Sequence, residues 1–164
     1  MSPASHVSPT SPAAASAAFT VVIDSREQRP FAIPGAVVAK LDSGDYSVAG
    51  LEDQIAIERK SPSDLFGTVG HGRDRFEREL IRLSALRYSA IVIEGDLGQL
   101  FAAPPRHTKM RPAAVFASLC AWSVRYGVHV WFASSRAHAC AVTLHLLEKF
   151  WKEAQKRALS GASA

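Results

Sequence analysis

Short apolar runs and longer stretches of helical period alternate along this chain. Val21, Val22 and Ile23 make a β-branched run that predicts a buried strand ending at Asp24. Residues 28–50, with Pro30, Pro34, Gly35 and the turn signal "SGD", predict short strands and tight connections. "QIAIERK" follows as another strand. From residue 62 the period changes: Phe76, Leu80, Leu83 and Leu86 recur at helical spacing, with arginines and acids on the other faces, which predicts an amphipathic helix over 73–87. "YSAIVIEG" then reads as a buried strand, "PAAVFASLCAWSVRYG" as a helix closed by Gly127, and "VHVWFASS" as a strand. A last helix starts behind a Ser135 cap and carries Leu144, Leu147, Trp151 and Ala154 on one stripe. Strands at the front followed by helix, strand, helix, strand, helix predict an α/β fold, a mixed sheet covered on both faces.

Composition sets the boundaries of that picture. The 164 residues suffice for one domain with a sizeable core, and 48% hydrophobic with 21% charged residues is the balance of a soluble globular protein. Residues 1–18 are almost all Ser, Pro, Ala and Thr and are expected to be a disordered tail, with the folded domain over 19–159 and a flexible end at 160–164. No run reaches membrane-spanning length and the N-terminus has no basic region before an apolar one, so a soluble intracellular protein with no membrane partner is expected. That means a cytoplasmic, nucleoid-associated place in a bacterium and a nuclear one in a eukaryote. Cys120 and Cys140 are too few for a disulfide framework or a zinc site and are expected to be small buried hydrophobes; the three tryptophans are expected in the core. A net charge of +4 and an isoelectric point near 9.3 lean modestly towards a polyanionic partner.

The chemistry concentrates where an apolar strand runs into Glu58, Arg59 and Lys60. Side chains alternate along a strand, so Glu58 and Lys60 emerge on one side while Arg59 joins Ile55 and Ile57 on the other. Asp24 ends a neighbouring strand and Asp45 follows a glycine. Three acids at adjacent strand ends repel one another, and a divalent cation with oxygen ligands, Mg²⁺ or Mn²⁺, is the natural compensation. A lysine beside such a cation equips the site for hydrolysis of a phosphodiester. Taken singly, each feature has a plain structural reading: a strand-end salt bridge for Glu58 and Lys60, a turn residue for Asp24, an Asx turn for Asp45.

Asp45 followed by Glu58-x-Lys60 matches the D…(D/E)xK pattern of the restriction-endonuclease-like superfamily. More specifically, "VVIDSREQRPF", "LDSGDY" and "IAIERKSPSDL", in this order, resemble the nuclease domain of the XPF family of structure-specific DNA endonucleases, with its signature GD…ERKxxxD. Here the signature is Gly44-Asp45, Glu58-Arg59-Lys60 and Asp64, and the likeness extends over roughly residues 20–150. The resemblance implies a three-layer α/β/α fold with a central mixed sheet. It implies that Asp24, Asp45 and Glu58 are the metal-linked acids, that Lys60 is the catalytic lysine, and that Arg26, Glu27, Arg59 and Asp64 complete the signature. For Arg59 the expectation is a bracing pair with an acid; for Asp64 it is a helix cap or that same pairing.

The implied function is a metal-dependent endonuclease that cuts DNA near branches, flaps or junctions, in repair or recombination. The alternative from another class is a non-catalytic DNA-binding or scaffold subunit, against which stands the full set of acids and the lysine. Another nuclease of the same superfamily, a junction resolvase or a restriction-type enzyme, is the third reading. Arg26, Arg73, Arg75, Arg78 and Arg82 are candidates for phosphate contact, weighed against a solvated helix face. "TVGHGRDR" offers backbone amides to a phosphate, and the basic, proline-rich 102–112 stretch is expected to be an exposed loop. Larger members of the family carry a tandem helix-hairpin-helix module after the nuclease domain, and none follows up to Ala164. A second copy of this chain or a DNA-binding subunit is therefore an expected partner.

Overall fold

The computed structural model describes residues 18–161. The tail expected at 1–18 and the flexible end expected at 160–164 lie outside them, apart from residues 18, 160 and 161. The strands are β1 (Val21–Asp24), β2 (Val37–Ala39), β3 (Tyr46–Val48), β4 (Ile55–Lys60), β5 (Tyr88–Ile93) and β6 (His129–Phe132). The helices are α1 (Pro62–Val69), α2 (Arg73–Ser84), α3 (Leu97–Ala102), α4 (Pro112–Tyr126) and α5 (Arg136–Gly161). The strands form one six-stranded sheet in the order β2-β1-β3-β4-β5-β6. It is mixed: β4, β5 and β6 run parallel, whereas β3 is antiparallel to both β1 and β4.

Period-two alternation divides the core. Ala56, Ile91 and Ile93 face a cluster built with Leu65, Phe66, Leu80, Leu83, Leu119 and Trp122, contributed by α1, α2 and α4. Ile55, Ile57, Ala90 and Val92 face a second cluster containing Val21, Tyr46, Val48 and Leu147 of α5. Helices thus cover both faces of the sheet, which is the expected three-layer α/β/α arrangement. Ile55, Ala56, Ile57 and the β5 run Ala90–Ile93 are at most 1% exposed, so β4 and β5 are the rigid centre on which the charged end of β4 is mounted.

Local signals account for most element ends. Ser61 caps α1 in a reciprocal box with Asp64, Asp96 does the same for α3 with Gln99, and Ser135 Oγ accepts from His138 N–H at the start of α5. Gly127 closes α4 in the left-handed region with φ 67°. The structure departs from the sequence reading at four points. The segment from Pro62 holds two helices, since α1 ends at Gly70 before α2 begins, and α2 stops at Ser84. Leu97–Ala102 forms a helix that is too short to show a period. Cys120 is exposed because it lies on the outer side of α4, and Trp131 is 42% exposed because β6 is an edge strand with one face partly uncovered.

Candidate active site

The end of β4 puts its three charges where alternation requires. Glu58 and Lys60 turn to the α1–α2 side, and Lys60 Nζ lies 2.8 Å from Glu58 Oε1. The same ammonium sits 4.7 Å above the Phe76 ring of α2, which places it against a buried, apolar floor. Burial pushes the Lys60 pKa down, but the Glu58 carboxylate outweighs that and holds it above the ordinary lysine value. Glu58 is 8% exposed, and burial raises its pKa despite the opposing pull of Lys60.

Asp45 reaches the same cleft by a different route. Gly44 adopts φ +71°, and a Cβ there would meet the Ala56 Cβ at 2.9 Å and the Ile57 carbonyl oxygen at 3.2 Å, so the turn passes directly against β4. Asp45 N–H donates to the Ile57 carbonyl at 2.9 Å, and its own carbonyl accepts from Asp24 N–H at 2.8 Å. Its carboxylate accepts a 2.7 Å bond from Arg59 N–H. Burial first, and then the neighbouring Glu58 charge, push the Asp45 pKa up to about 8. Two carboxylates that disfavour joint ionisation, beside one ammonium, line a cleft of about 360 Å³ together with Asp24, Arg26, Arg75, Glu79 and Arg82.

Asp24 lines this cleft, yet both of its oxygens are engaged. Oδ1 accepts from Arg26 N–H and Nε–H, and Oδ2 from Arg26 and from Leu41 N–H at 2.7 Å. Burial raises its pKa, and these bonds outweigh burial to leave it below the usual value. Among the described residues, no group of three or more His, Cys, Asp or Glu side chains is placed to hold a metal ion. Asp45 and Glu58 thus face one cleft as a pair, with Asp24 beside them in the same cleft and bound into the adjoining turn. A pair still suits Mg²⁺ or Mn²⁺, because a small hard cation is commonly held by one or two carboxylates with waters and substrate phosphate completing its shell.

Arg59 points to the opposite face, as alternation predicts. Its guanidinium bonds both oxygens of Glu27 at 3.0 and 3.1 Å and lies 3.2 Å from Glu94. Glu94 is also paired with Arg136 at 2.5 Å, and Arg136 donates to the carbonyls of Arg29 and Pro30. This chain of charges ties the end of β4 to the 25–31 loop and to the start of α5. Burial pushes Glu27 up, but Arg59 and the Arg29 N–H outweigh it and hold its pKa low. The bracing role expected of Arg59 is what the geometry shows, with Glu27 and Glu94 as partners; Asp64 completes the capping box of Ser61 at the start of α1.

The arginines separate. Arg26, Arg75 and Arg82 line the cleft. Arg73 turns away from it, donating to Ser118 Oγ at 2.7 Å and to Glu77 and lying over Trp122, so its job is to join α2 to α4. Arg78 is exposed but lines none of the cleft. Three amides of the α1–α2 turn are engaged by the chain itself: Gly70 N–H donates to the Phe66 carbonyl, Gly72 N–H to Gly67 and Arg73 N–H to Gly70. Sequence reasoning missed Glu79, Glu94 and Arg136; their places depend on how α2 and α5 dock, and no local pattern marks them.

The ERCC4 domain family model matches residues 23–146, which takes in every residue of the cleft. A 3′-flap repair endonuclease Xpf of Saccharolobus solfataricus is 27% identical over 115 residues, covering 70% of this chain and 45% of that protein. The chain thus spans about half the length of that curated relative. Among solved structures, XPF from Aeropyrum pernix superposes with a TM-score of 0.61 at 25% identity, covering 79% of this chain and 60% of the other. A second structure, of the A. pernix XPF in complex with DNA, gives 0.61 at 22% identity over 85% and 66%, a likeness of fold.

Proposed function

Because the chain belongs to the ERCC4 domain family and carries an XPF-type nuclease domain, we propose that it is a metal-dependent endonuclease that hydrolyses DNA phosphodiesters near branches, flaps or junctions, in repair or recombination. The observation that carries the proposal is the convergence of Asp45, Glu58 and Lys60 on one cleft, where burial raises the pKa values of both acids and the Glu58 charge raises that of Asp45 further. Two crowded carboxylates are unfavourable unless a cation joins them, so the site is built to gain from binding one.

Asp45 and Glu58 would hold Mg²⁺ or Mn²⁺. When bound, such an ion polarises a phosphate and lowers the pKa of an attacking water. Lys60 has a different part. Its ammonium, held 2.8 Å from Glu58 Oε1 and over the Phe76 ring, would stabilise charge that grows on the phosphate. Phe76 limits where the ammonium can sit. Asp24, held by Arg26 and Leu41 N–H, sets the backbone that bonds Asp45, and Arg59 sets it from the other side through its N–H and its Glu27 and Glu94 pairs. Arg75, exposed at the rim, and Arg26, whose side chain is 64% exposed, are placed to take DNA phosphates.

The expected second copy or DNA-binding subunit belongs to this proposal. Among the described residues, no helix is long and apolar enough to cross a membrane. The test is cleavage of labelled flap, fork, nicked, junction and linear duplex DNA with Mg²⁺, Mn²⁺ or EDTA, with light scattering alongside to read the oligomeric state. Cutting confined to the branched substrates and stopped by EDTA is expected. A shift of DNA in gels without cutting of any substrate would leave the non-catalytic role in its place.

A further inference from the structure

Glu79 lies on α2, three residues after Phe76, and lines the cleft without belonging to any recognised signature. Its Oε1 accepts a 2.7 Å bond from Gly44 N–H, across 35 positions of sequence. Its other oxygen pairs with Arg82. Gly44 is buried, left-handed and pressed against β4, so its N–H has few alternatives to this carboxylate. The residue after it is Asp45, whose carboxylate faces Glu58. We propose that Glu79 is a positioning residue, whose carboxylate clamps the Gly44 N–H and thereby fixes Asp45 in the cation-binding geometry.

The same helix face supplies Phe76 under Lys60, so α2 sets the places of both the acid and the lysine. Arg75 of this helix lies at the rim of the cleft, Arg78 is exposed away from it, and Arg82 bonds the Glu79 carboxylate itself. Contact of DNA with α2 and the alignment of Asp45 therefore run through one rigid element. The activity part of this inference rests on the nuclease reading; the structural part does not.

The experiment compares Glu79→Ala with Glu79→Gln, both checked by far-UV circular dichroism and thermal melting. A glutamine oxygen can still accept the Gly44 N–H, whereas alanine cannot. In ¹H–¹⁵N spectra, Glu79→Ala should move the Gly44 amide upfield and speed its hydrogen exchange, with Glu79→Gln close to wild type. Calorimetric Mn²⁺ affinity should fall roughly tenfold in the alanine variant and recover largely in the glutamine variant. On flapped DNA, kcat should fall about 10- to 100-fold in the alanine variant with little change in KM, the size expected for an orphaned buried amide beside a catalytic group. Damage by glutamine equal to that by alanine would mean that the negative charge, not the hydrogen bond, is what matters, and would overturn the proposal. An unmoved Gly44 amide in Glu79→Ala would overturn it as well. A wild-type protein that cuts nothing would remove the nuclease reading alone, since the amide signals and Mn²⁺ affinity would still decide the role of Glu79.

Discussion

Removing the Arg59 side chain should cost this fold about 3 kcal/mol. The guanidinium is only 9% exposed and is shared by two carboxylates, Glu27 at 5% and Glu94 at 11%. Breaking a buried pair from one side costs about 3–5 kcal/mol because a charge is left behind without its partner. Here the lower end applies, since Glu94 keeps Arg136, and Glu27 keeps the Arg29 N–H, at 2.7 Å, and the nearby Arg136 charge. In urea, with a slope near 2 kcal/mol/M, the midpoint of Arg59→Ala should lie roughly 1.5 M below that of wild type at pH 7. The pH dependence is more diagnostic. In the wild type, Glu27 has a pKa below its ordinary value of 4.5, so its contribution is present above that value and is lost as pH falls through the folded pKa. In Arg59→Ala, burial acts without the opposing guanidinium and Glu27 takes up a proton more readily in the folded state than in the unfolded one, which stabilises the variant as pH falls. The gap between the two proteins must therefore narrow from pH 7 towards pH 4.5. Urea titrations followed by circular dichroism measure it directly. A loss under about 1 kcal/mol, or a gap that widens at low pH, would refute the reasoning that Arg59 is a buried brace.

Two further outcomes follow from the same geometry. Asp45, with a folded pKa raised to about 8, binds more protons when folded than when unfolded, so its contribution makes stability decline as pH rises from about 4 to about 8. Asp45→Asn removes that burden and should melt higher than wild type at pH 7.5, by ~1 kcal/mol or more, while losing cation affinity; equal or lower melting would contradict the crowded-acid picture. Gly44→Ala meets both a left-handed backbone and the contacts to Ala56 and Ile57, so it should cost ~2–4 kcal/mol, whereas Gly35→Ala, with φ +74° and open space around it, should cost only ~1–2 kcal/mol; chemical denaturation of both variants ranks them.

Much of this architecture is legible in the sequence because it rests on short-range physics. Val21–Ile23 and Ile55–Ile57 are buried runs that fit only a covered sheet, and Glu58, Arg59 and Lys60 take the faces that strand alternation gives them. Where long-range docking decides, the sequence is silent. Glu79 looks like any acid on a mixed-charge helix until α2 packs over Gly44, and Arg73 looks like its neighbours until α4 brings Ser118 and Trp122 beneath it. The split of α1 from α2 is equally hard to read, because His71 and two glycines at the turn are consistent with either a loop or a frayed helix. Asp24 follows the family pattern in position, and its pairing with Arg26 and Leu41 N–H depends on a turn that the pattern does not describe.

The central claim is that Asp45, Glu58 and Lys60 form a phosphodiester-hydrolysing site. It is tested most directly by single-turnover cleavage of a flapped DNA by Lys60→Ala, with binding measured by fluorescence anisotropy in the same buffer. Loss of the cation that stabilises charge on the phosphate should lower the cleavage rate at least ~100-fold, with the dissociation constant changed less than about threefold. Cleavage at the wild-type rate, with intact binding, would contradict the account.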